Sequence, residues 1–207
     1  MAKRTVTVTG SGRAAVSPDV VRLDLRVGHD ADDVAAALAG AAAGITSVGR
    51  VVREHDVADA DIRTLDASVN QRWDHTTGTA TGFTAQQRLS VTVRRLESVG
   101  AILESAASAV GNALLVDQVR LDVADRSDGL RRARDCAFAD ALDKAQQYAG
   151  LAGAQLGAVL GMAEAGVAPL AGRPMALMAA AMDAGVMPVE GGDLDLGSAV
   201  TVTWELR

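Results

Sequence analysis

The chain has little of several things that would point to a particular chemistry. Cys136 is the single cysteine among 207 residues, so an intramolecular disulfide is excluded. Aromatic residues make up only 2% of the chain, whereas hydrophobic residues make up 49%. A core built from this composition must be filled by alanine, valine and leucine in close packing, and the chain is long enough to bury one.

Positive charge is also scarce. Twenty basic and 26 acidic residues give a formal net charge of −6, which argues against nucleic acid as a partner because phosphate binding depends on clustered lysine and arginine. The densest basic cluster is Arg131, Arg132 and Arg134, on the side of a predicted helix away from its apolar face. We interpret it as a solvated face, with an acidic partner as the alternative.

Catalytic and metal-binding patterns are missing as well. His29, His55 and His75 fall in different regions, and no two of them have the spacing of zinc ligands. Gly10-Ser11-Gly12 resembles a fragment of a phosphate-binding loop but lacks the lysine and the following helix, so the pattern predicts a turn. No nucleophile elbow is found. We therefore predict no metal, no cofactor and no catalytic residue, and expect that the protein is not an enzyme.

No run approaches the roughly 18 consecutive apolar residues of a membrane-spanning helix, so membrane contact is not expected. After Arg4 the chain continues directly into an alternating strand pattern, Thr5 to Thr9, instead of an apolar leader. The sequence as it stands therefore predicts a cytoplasmic protein. A periplasmic or envelope location is the alternative if a leader has been removed.

The longest readable element is a helix from Ser127 to Gly150. Alanines recur in it every four residues, which places them along one side of a helix and predicts a buried packing ridge. These alanines are Ala133, Ala137, Ala141, Ala145 and Ala149. Cys136 lies beside the ridge, and two interpretations stay open for it, a small residue at the core boundary or a redox-active thiol.

Alternation and turn residues predict seven strands and two further helices, in the order β-β-α-β-β-α-β-α-β-β. This order indicates an α+β fold of antiparallel-rich sheets covered by helices. We expect a single unit over residues 1–207, or two intertwined α/β subdomains at 1–95 and 96–207. A hairpin folded about Gly78 is predicted to set Trp73 opposite Phe83, and the glycines of the first helix are predicted to allow close packing.

Residues 165–192 form an insertion of different composition, with three of the four prolines and four of the six methionines. Methionine is flexible and suits adaptable apolar surfaces, so we predict an oligomer interface there. Packing on its own domain and contact with lipid or a ligand are the alternatives. The candidate interface residues are Met175, Leu177, Met178, Met182, Val186 and Met187.

Several short motifs, taken together and in order, carry a family resemblance. They are Val6-Thr7-Val8-Thr9-Gly10 with Gly12, Pro18-Asp19, Asp61-Ile62 with Thr64, Gly82-Phe83, Gly111-Asn112, the alanine helix with Lys144, Gly153 and Leu156-Gly157, and Pro188 before Val200-Thr201-Val202. In these motifs the chain resembles the SIMPL-domain family, which includes bacterial oxidative-stress-defence and periplasmic immunogenic proteins. The resemblance implies an α+β fold, self-association and a role in stress tolerance, and it supplies no catalytic residue.

The leading hypothesis is a non-enzymatic protein that assembles with itself, as a ring- or shell-like homo-oligomer, and has a stress-related role. The alternative is a binding module that holds a small apolar ligand or a protein client. An enzyme of unknown class is the third hypothesis.

Overall fold

The computed structural model describes residues 4–165 and 192–207. The α+β prediction is confirmed, and the order of strands and α-helices is the predicted one. The strands are β1 (Thr5–Val16), β2 (Val20–Ala31), β3 (Ile62–Asp74), β4 (Thr79–Val93), β5 (Leu114–Asp122), β6 (Leu156–Ala165) and β7 (Leu194–Leu206). The α-helices are α1 (Val34–Glu54), α2 (Val99–Val110) and α3 (Ser127–Leu151).

The described residues form two compact units. Unit 1 comprises residues 4–17, 123–165 and 192–207, and its antiparallel sheet has the strand order β1-β7-β6 with α3 on one face. Unit 2 comprises residues 18–122, and its antiparallel sheet has the order β3-β4-β2-β5 with α1 and α2 on one face.

Strand β2 shows how the sequence builds the core of unit 2. Its apolar side chains alternate with charged ones, so one face of the strand enters the core and the other does not. Leu23 and Leu25 are fully buried and belong to one cluster with Val48 of α1 and Ile102 of α2. The apolar side chains at every second position of β2 therefore pack against the apolar faces of α1 and α2.

Helix α1 begins at a capped N-terminus, where the Asp33 side chain accepts a hydrogen bond from the Ala36 backbone N–H at 2.8 Å. The prediction that its glycines allow close packing is confirmed for Gly40 and Gly44. A β-carbon on Gly40 would lie 2.1 Å from the His29 ring, and one on Gly44 would lie 2.6 Å from Val27.

Among the described residues, α1 also has the length and mean hydropathy, 1.5, of a helix that could cross a membrane. The run-length rule missed this because Thr46, Ser47 and Arg50 interrupt the apolar run while alanine and valine keep the average high. Its buried residues, which include Ala37, Ile45, Val48 and Val52, form part of the core of unit 2. This is the arrangement of a core helix.

The face of the unit 2 sheet that α1 and α2 do not cover carries several ion pairs. Arg22 pairs with Asp122, whose side chain is 6% exposed, and Arg26 pairs with Asp117 at 2.7 Å. Arg88 of β4 lies 3.4 Å from the Asp66 carboxylate of β3 and 3.7 Å from the Asp117 carboxylate of β5. The arginines of β2 and β4 are thus compensated by carboxylates of β3 and β5 across the sheet.

The turn predicted at Gly10-Ser11-Gly12 is wrong, because these residues lie inside β1 and pair with Val200, Ala199 and Ser198 of β7. Neither glycine has a positive φ. The glycines are present because α3 lies directly on them: a β-carbon on Gly12 would be 2.1 Å from the Ala133 carbonyl oxygen. The predicted burial of the alanine ridge is confirmed, since all five alanines are at most 2% exposed.

The predicted pairing of Trp73 with Phe83 is also wrong. The hairpin does turn at Gly78, which has a φ of 67°, but the register shifts between Arg72 and Trp73. Trp73 is therefore opposite Ala80, and Phe83 is opposite Gln71. Trp73 is 54% exposed as a result.

Candidate functional site

Of the sequence-predicted candidates, Cys136 is the one that lies among the described residues. Cys136 lies on α3 and is exposed, so its side chain is not buried in the core, and both the core boundary and the redox-active thiol stay predictions. The candidate interface residues Met175, Leu177, Met178, Met182, Val186 and Met187 lie outside the described residues. Within residues 4–165 and 192–207, no group of three or more histidine, cysteine, aspartate or glutamate side chains could hold a metal ion.

Unit 2 has a small cleft of about 100 Å³ beside His55. Its charged side chains are already engaged: Asp61 accepts two hydrogen bonds from Arg94, at 2.8 and 2.9 Å, and Asp56 accepts one from Arg95 at 2.6 Å. The hydrogen bond to Asp61, with the attraction of its charge, raises the pKa of Arg94. The cleft therefore presents closed ion pairs, beside a histidine whose Nε2 lies 3.1 Å from the Ser105 hydroxyl oxygen.

The two outer strands of the unit 1 sheet differ in how they are covered. The outer edge of β1 is closed by side chains of α3. Asp140 accepts a hydrogen bond from the Ser11 backbone N–H at 2.7 Å, and Lys144 donates one to the Thr9 carbonyl oxygen at 3.1 Å. Arg132 donates another to the Ala15 carbonyl oxygen at 3.2 Å. Charged side chains that occupy backbone groups in this way protect an edge strand from pairing with other chains.

Asp140 is also tied to Lys144 by a 2.7 Å ion pair one helical turn away. The hydrogen bond from Lys144, followed by the one from the Ser11 backbone, lowers the pKa of Asp140 below the ordinary aspartate value. The carboxylate is thus held in its charged form at the β1 edge.

The opposite edge, β6, has no such cover among the described residues. Three large apolar side chains of this strand are exposed: Val159 is 44% exposed, Leu160 is 45% exposed and Met162 is 61% exposed. We call these three residues the apolar strip. They are the described unit 1 residues that best fit an interaction site, because large apolar side chains gathered on one strand gain free energy when another surface covers them.

The strip is exposed because α3 packs over β1 and β7 and hardly touches β6. Val159 is opposite Trp204, and Met162 is opposite Val202. Residues opposite each other in antiparallel strands point to the same face, so Val159 and Met162 lie on the face that α3 covers elsewhere. Trp204 and Val202 are buried there, and their neighbours on β6 are not.

One ion pair limits the strip at its C-terminal end. Arg134 of α3 donates to Glu164 of β6 at 2.8 Å, and Ser198 donates to the same oxygen at 3.3 Å. The hydrogen bond from Arg134 is the main cause of the lowered pKa of Glu164. Phe138 and Leu142 follow Arg134 at four-residue intervals, so they lie on the side of α3 that faces β6.

The sequence predicted a strand from Leu156 to Glu164 but did not identify it as the edge of a sheet. A signal was present, since residues 156–163 contain no charged or polar side chain and do not alternate as a half-buried strand would. A strand buried on both faces gives the same pattern. Only the pairing with β7 distinguishes the two cases.

Comparisons with known proteins confirm the family resemblance. The family described as SIMPL, protein of unknown function (DUF541), matches residues 6–204. The chain is also similar to the 26 kDa periplasmic immunogenic proteins of Brucella melitensis and Brucella abortus. Each of these is 28% identical over 175 residues, which cover 80% of this chain and 68% of the relative.

Proposed function

The chain belongs to the SIMPL family, which is described as a family of unknown function, and we propose that it acts without catalysis, by associating with copies of itself. The observation that carries this proposal is the apolar strip on β6. A large apolar side chain contributes about 1.5–3 kcal/mol when it passes from full exposure to full burial, and each residue of the strip has roughly half of that still to gain.

The state of the polar groups supports the non-enzymatic part of the proposal. Two of the three carboxylates with lowered pKa values in unit 1, Asp140 and Glu164, are each bound to a cation of the same unit. In unit 2 the cleft beside His55 contains two arginine–aspartate pairs. Perturbed pKa values at active sites prepare a group for proton transfer, whereas these ones follow from structural ion pairs.

We further propose a location in the periplasm or cell envelope and a role in stress tolerance. The location follows the names of the Brucella relatives, which call them periplasmic. It replaces the expectation of a cytoplasmic protein. Fractionation of the native host cells tests the location, and a deletion strain that tolerates oxidants as well as its parent would remove the stress role.

Sedimentation velocity combined with light scattering tests self-association. We expect a mass above that of the 21.2 kDa monomer, rising with protein concentration across the micromolar range. A strictly monomeric protein over that range would contradict the proposal. The same measurement on a chain without residues 173–187 tests the predicted methionine-rich interface. If that interface takes part in self-association, its removal should reduce the number of chains in the assembly.

A binding module for an apolar ligand or client is the second candidate, since the uncovered face of β6 beside Phe138 and Leu142 could also accept one. Native mass spectrometry of protein purified from cells separates the two functions. A co-purifying molecule that dissociates when Met162 is replaced by a charged residue would favour the binding module. A ligand-free homo-oligomer would favour self-association.

A further inference from the structure

We propose that β6 pairs with β6 of a second copy of this chain. The two strands run antiparallel about a two-fold axis, so that two three-stranded sheets join into one sheet of six strands. This inference rests on the self-association proposed above and names the surface responsible for it.

The choice of β6 follows from the four strands at the edges of the two described sheets. The β1 edge is occupied by Asp140, Lys144 and Arg132. In unit 2, β3 carries charged residues along its length, and β5 carries Asp117, Arg120 and Asp122. Charged residues are a usual protection of edge strands. Among the described edges, β6 is the one that is predominantly apolar and not closed by charged side chains.

A second copy suits this edge because the strand is compatible with itself. Two-fold pairing places each residue of one strand opposite a residue of the same strand, so any charge in the centre would meet a like charge. Residues 156–163 contain no charged side chain. Glu164, which follows them, is neutralised within its own chain by Arg134. The pairing therefore brings apolar side chains together without burying an uncompensated charge.

The size of the contact defines the expected affinity. Ten residues at about 3.3 Å each give a strand of about 33 Å, and with a layer thickness of about 10 Å the edge covers on the order of 300 Å² per copy. A standard stable interface covers about 800 Å² per partner. Edge pairing alone is thus a weak, reversible contact, and the Val159 and Met162 side chains must add to it.

The symmetry also has a consequence for the subunit number. A two-fold contact uses the β6 edge of both copies and leaves none free, so it closes at two. Larger assemblies built on this contact need a further interface, and they contain an even number of subunits.

A matched pair of variants tests the surface. In Leu160→Lys a charge is placed on β6, and in Leu115→Lys the same change is made on β5, where the leucine is equally exposed, 44% against 45%. We expect Leu160→Lys to raise the dissociation constant at least ten-fold, because the two-fold axis brings two lysines, one from each copy, into the contact. Leu115→Lys should leave it unchanged. Circular dichroism and thermal unfolding confirm that both variants are folded.

Single cysteines then locate the axis. In a Cys136→Ser background, Ala158→Cys, Leu160→Cys and Met162→Cys are oxidised one at a time, and Arg13→Cys on β1 serves as the control. A disulfide between copies requires Cα atoms about 4.4–6.8 Å apart, so cross-linked dimer should peak at the position nearest the axis. The β6–β7 register shifts before Gly161, and this irregularity divides β6 into two halves. The position of the cross-linking peak therefore identifies which half pairs with the second copy.

The outcomes separate the two proposals. An oligomer whose mass Leu160→Lys does not change, and whose β6 cysteines cross-link no better than Arg13→Cys, would overturn β6 pairing and leave self-association standing. A wild-type protein that is monomeric throughout the micromolar range would overturn both. Loss of the oligomer in Leu160→Lys with a single cross-linking peak on β6 is the result that we expect.

Discussion

Gly10 of β1 lies directly beneath Ala137 of α3: a β-carbon on Gly10 would be 2.1 Å from the Ala137 carbonyl oxygen and 2.4 Å from the Ala141 backbone nitrogen. The strand and the helix therefore meet backbone to backbone. An alanine ridge on one element and glycines on the other form a single packing device, which lets a core with few aromatic residues be dense.

We predict that Gly10→Ala strongly destabilises unit 1. The new methyl group overlaps backbone atoms of α3, which cannot move aside as a side-chain end could, so we expect a loss of at least about 3 kcal/mol in the free energy of unfolding. Chemical denaturation measures it. Gly161→Ala is the control, because Gly161 also lies in a strand of this sheet and a β-carbon there meets nothing within 4 Å. Equal stability of the two variants would contradict the close contact.

The same contact shows what the sequence could and could not predict. Alanines at every fourth position predict α3 and its buried side, because the period belongs to the helix itself. Gly-Ser-Gly is ambiguous, since glycine serves both a turn that needs positive φ and a strand with no room for a side chain. The distinction depends on Ala137, more than 120 residues away in the chain. For the same reason β6 could be predicted as a strand, while its place at the sheet edge depends on β7.

Asp140→Asn should make unit 1 less stable at neutral pH. The carboxylate has a lowered pKa because Lys144 and the Ser11 backbone hydrogen-bond to its charged form. Its stabilisation is therefore fully present above the ordinary aspartate pKa of about 3.9 and is lost as the pH falls through the lower pKa of the folded state. Urea unfolding at a series of pH values should show the difference between wild type and variant shrinking in that acidic range.

The control for this prediction is Asp143→Asn, three residues further along the same helix at an exposed position. It should show little change at any pH. If Asp140→Asn and Asp143→Asn gave the same pH profile, Asp140 would not hold the β1 edge in the way that its hydrogen bonds indicate.

Replacing either of two arginines of unit 2 should lower the free energy of unfolding by different amounts. Arg22 pairs with Asp122, which is 6% exposed, whereas the Arg50–Glu54 pair on α1 is 63% and 58% exposed. Replacing Arg22 by methionine removes a charged hydrogen bond to a buried carboxylate and should cost about 2 kcal/mol. Arg50→Met should cost no more than about 0.5 kcal/mol. Denaturant unfolding measures the loss in the free energy of unfolding for each variant. A larger loss for Arg50→Met than for the Arg22 variant would contradict the stabilising role of the Arg22–Asp122 pair.

Cys136 should react with Ellman's reagent in the folded protein, because it is exposed on α3. We expect one thiol per chain to be modified without denaturant, and Cys136→Ser to change the free energy of unfolding by less than about 0.5 kcal/mol. A thiol that reacted only after unfolding would contradict its exposure and would also remove the redox hypothesis. Rapid modification leaves that hypothesis as a prediction, to be tested by comparing the oxidant tolerance of cells that carry either form.

The two tryptophans should report different environments. Trp204 is 2% exposed and lies 6.2 Å from the Phe138 ring, whereas Trp73 is 54% exposed on the β3–β4 hairpin. In Trp73→Phe the remaining emission comes from Trp204, so it should be blue-shifted and resist quenching by iodide. In Trp204→Phe it should be red-shifted and quenched readily.

Because Trp204 lies beside the strand that carries the apolar strip, its emission in the Trp73→Phe variant should also change as the protein is diluted and its copies dissociate. An emission spectrum independent of concentration, in a sample whose mass falls on dilution, would place the contact between copies away from β6.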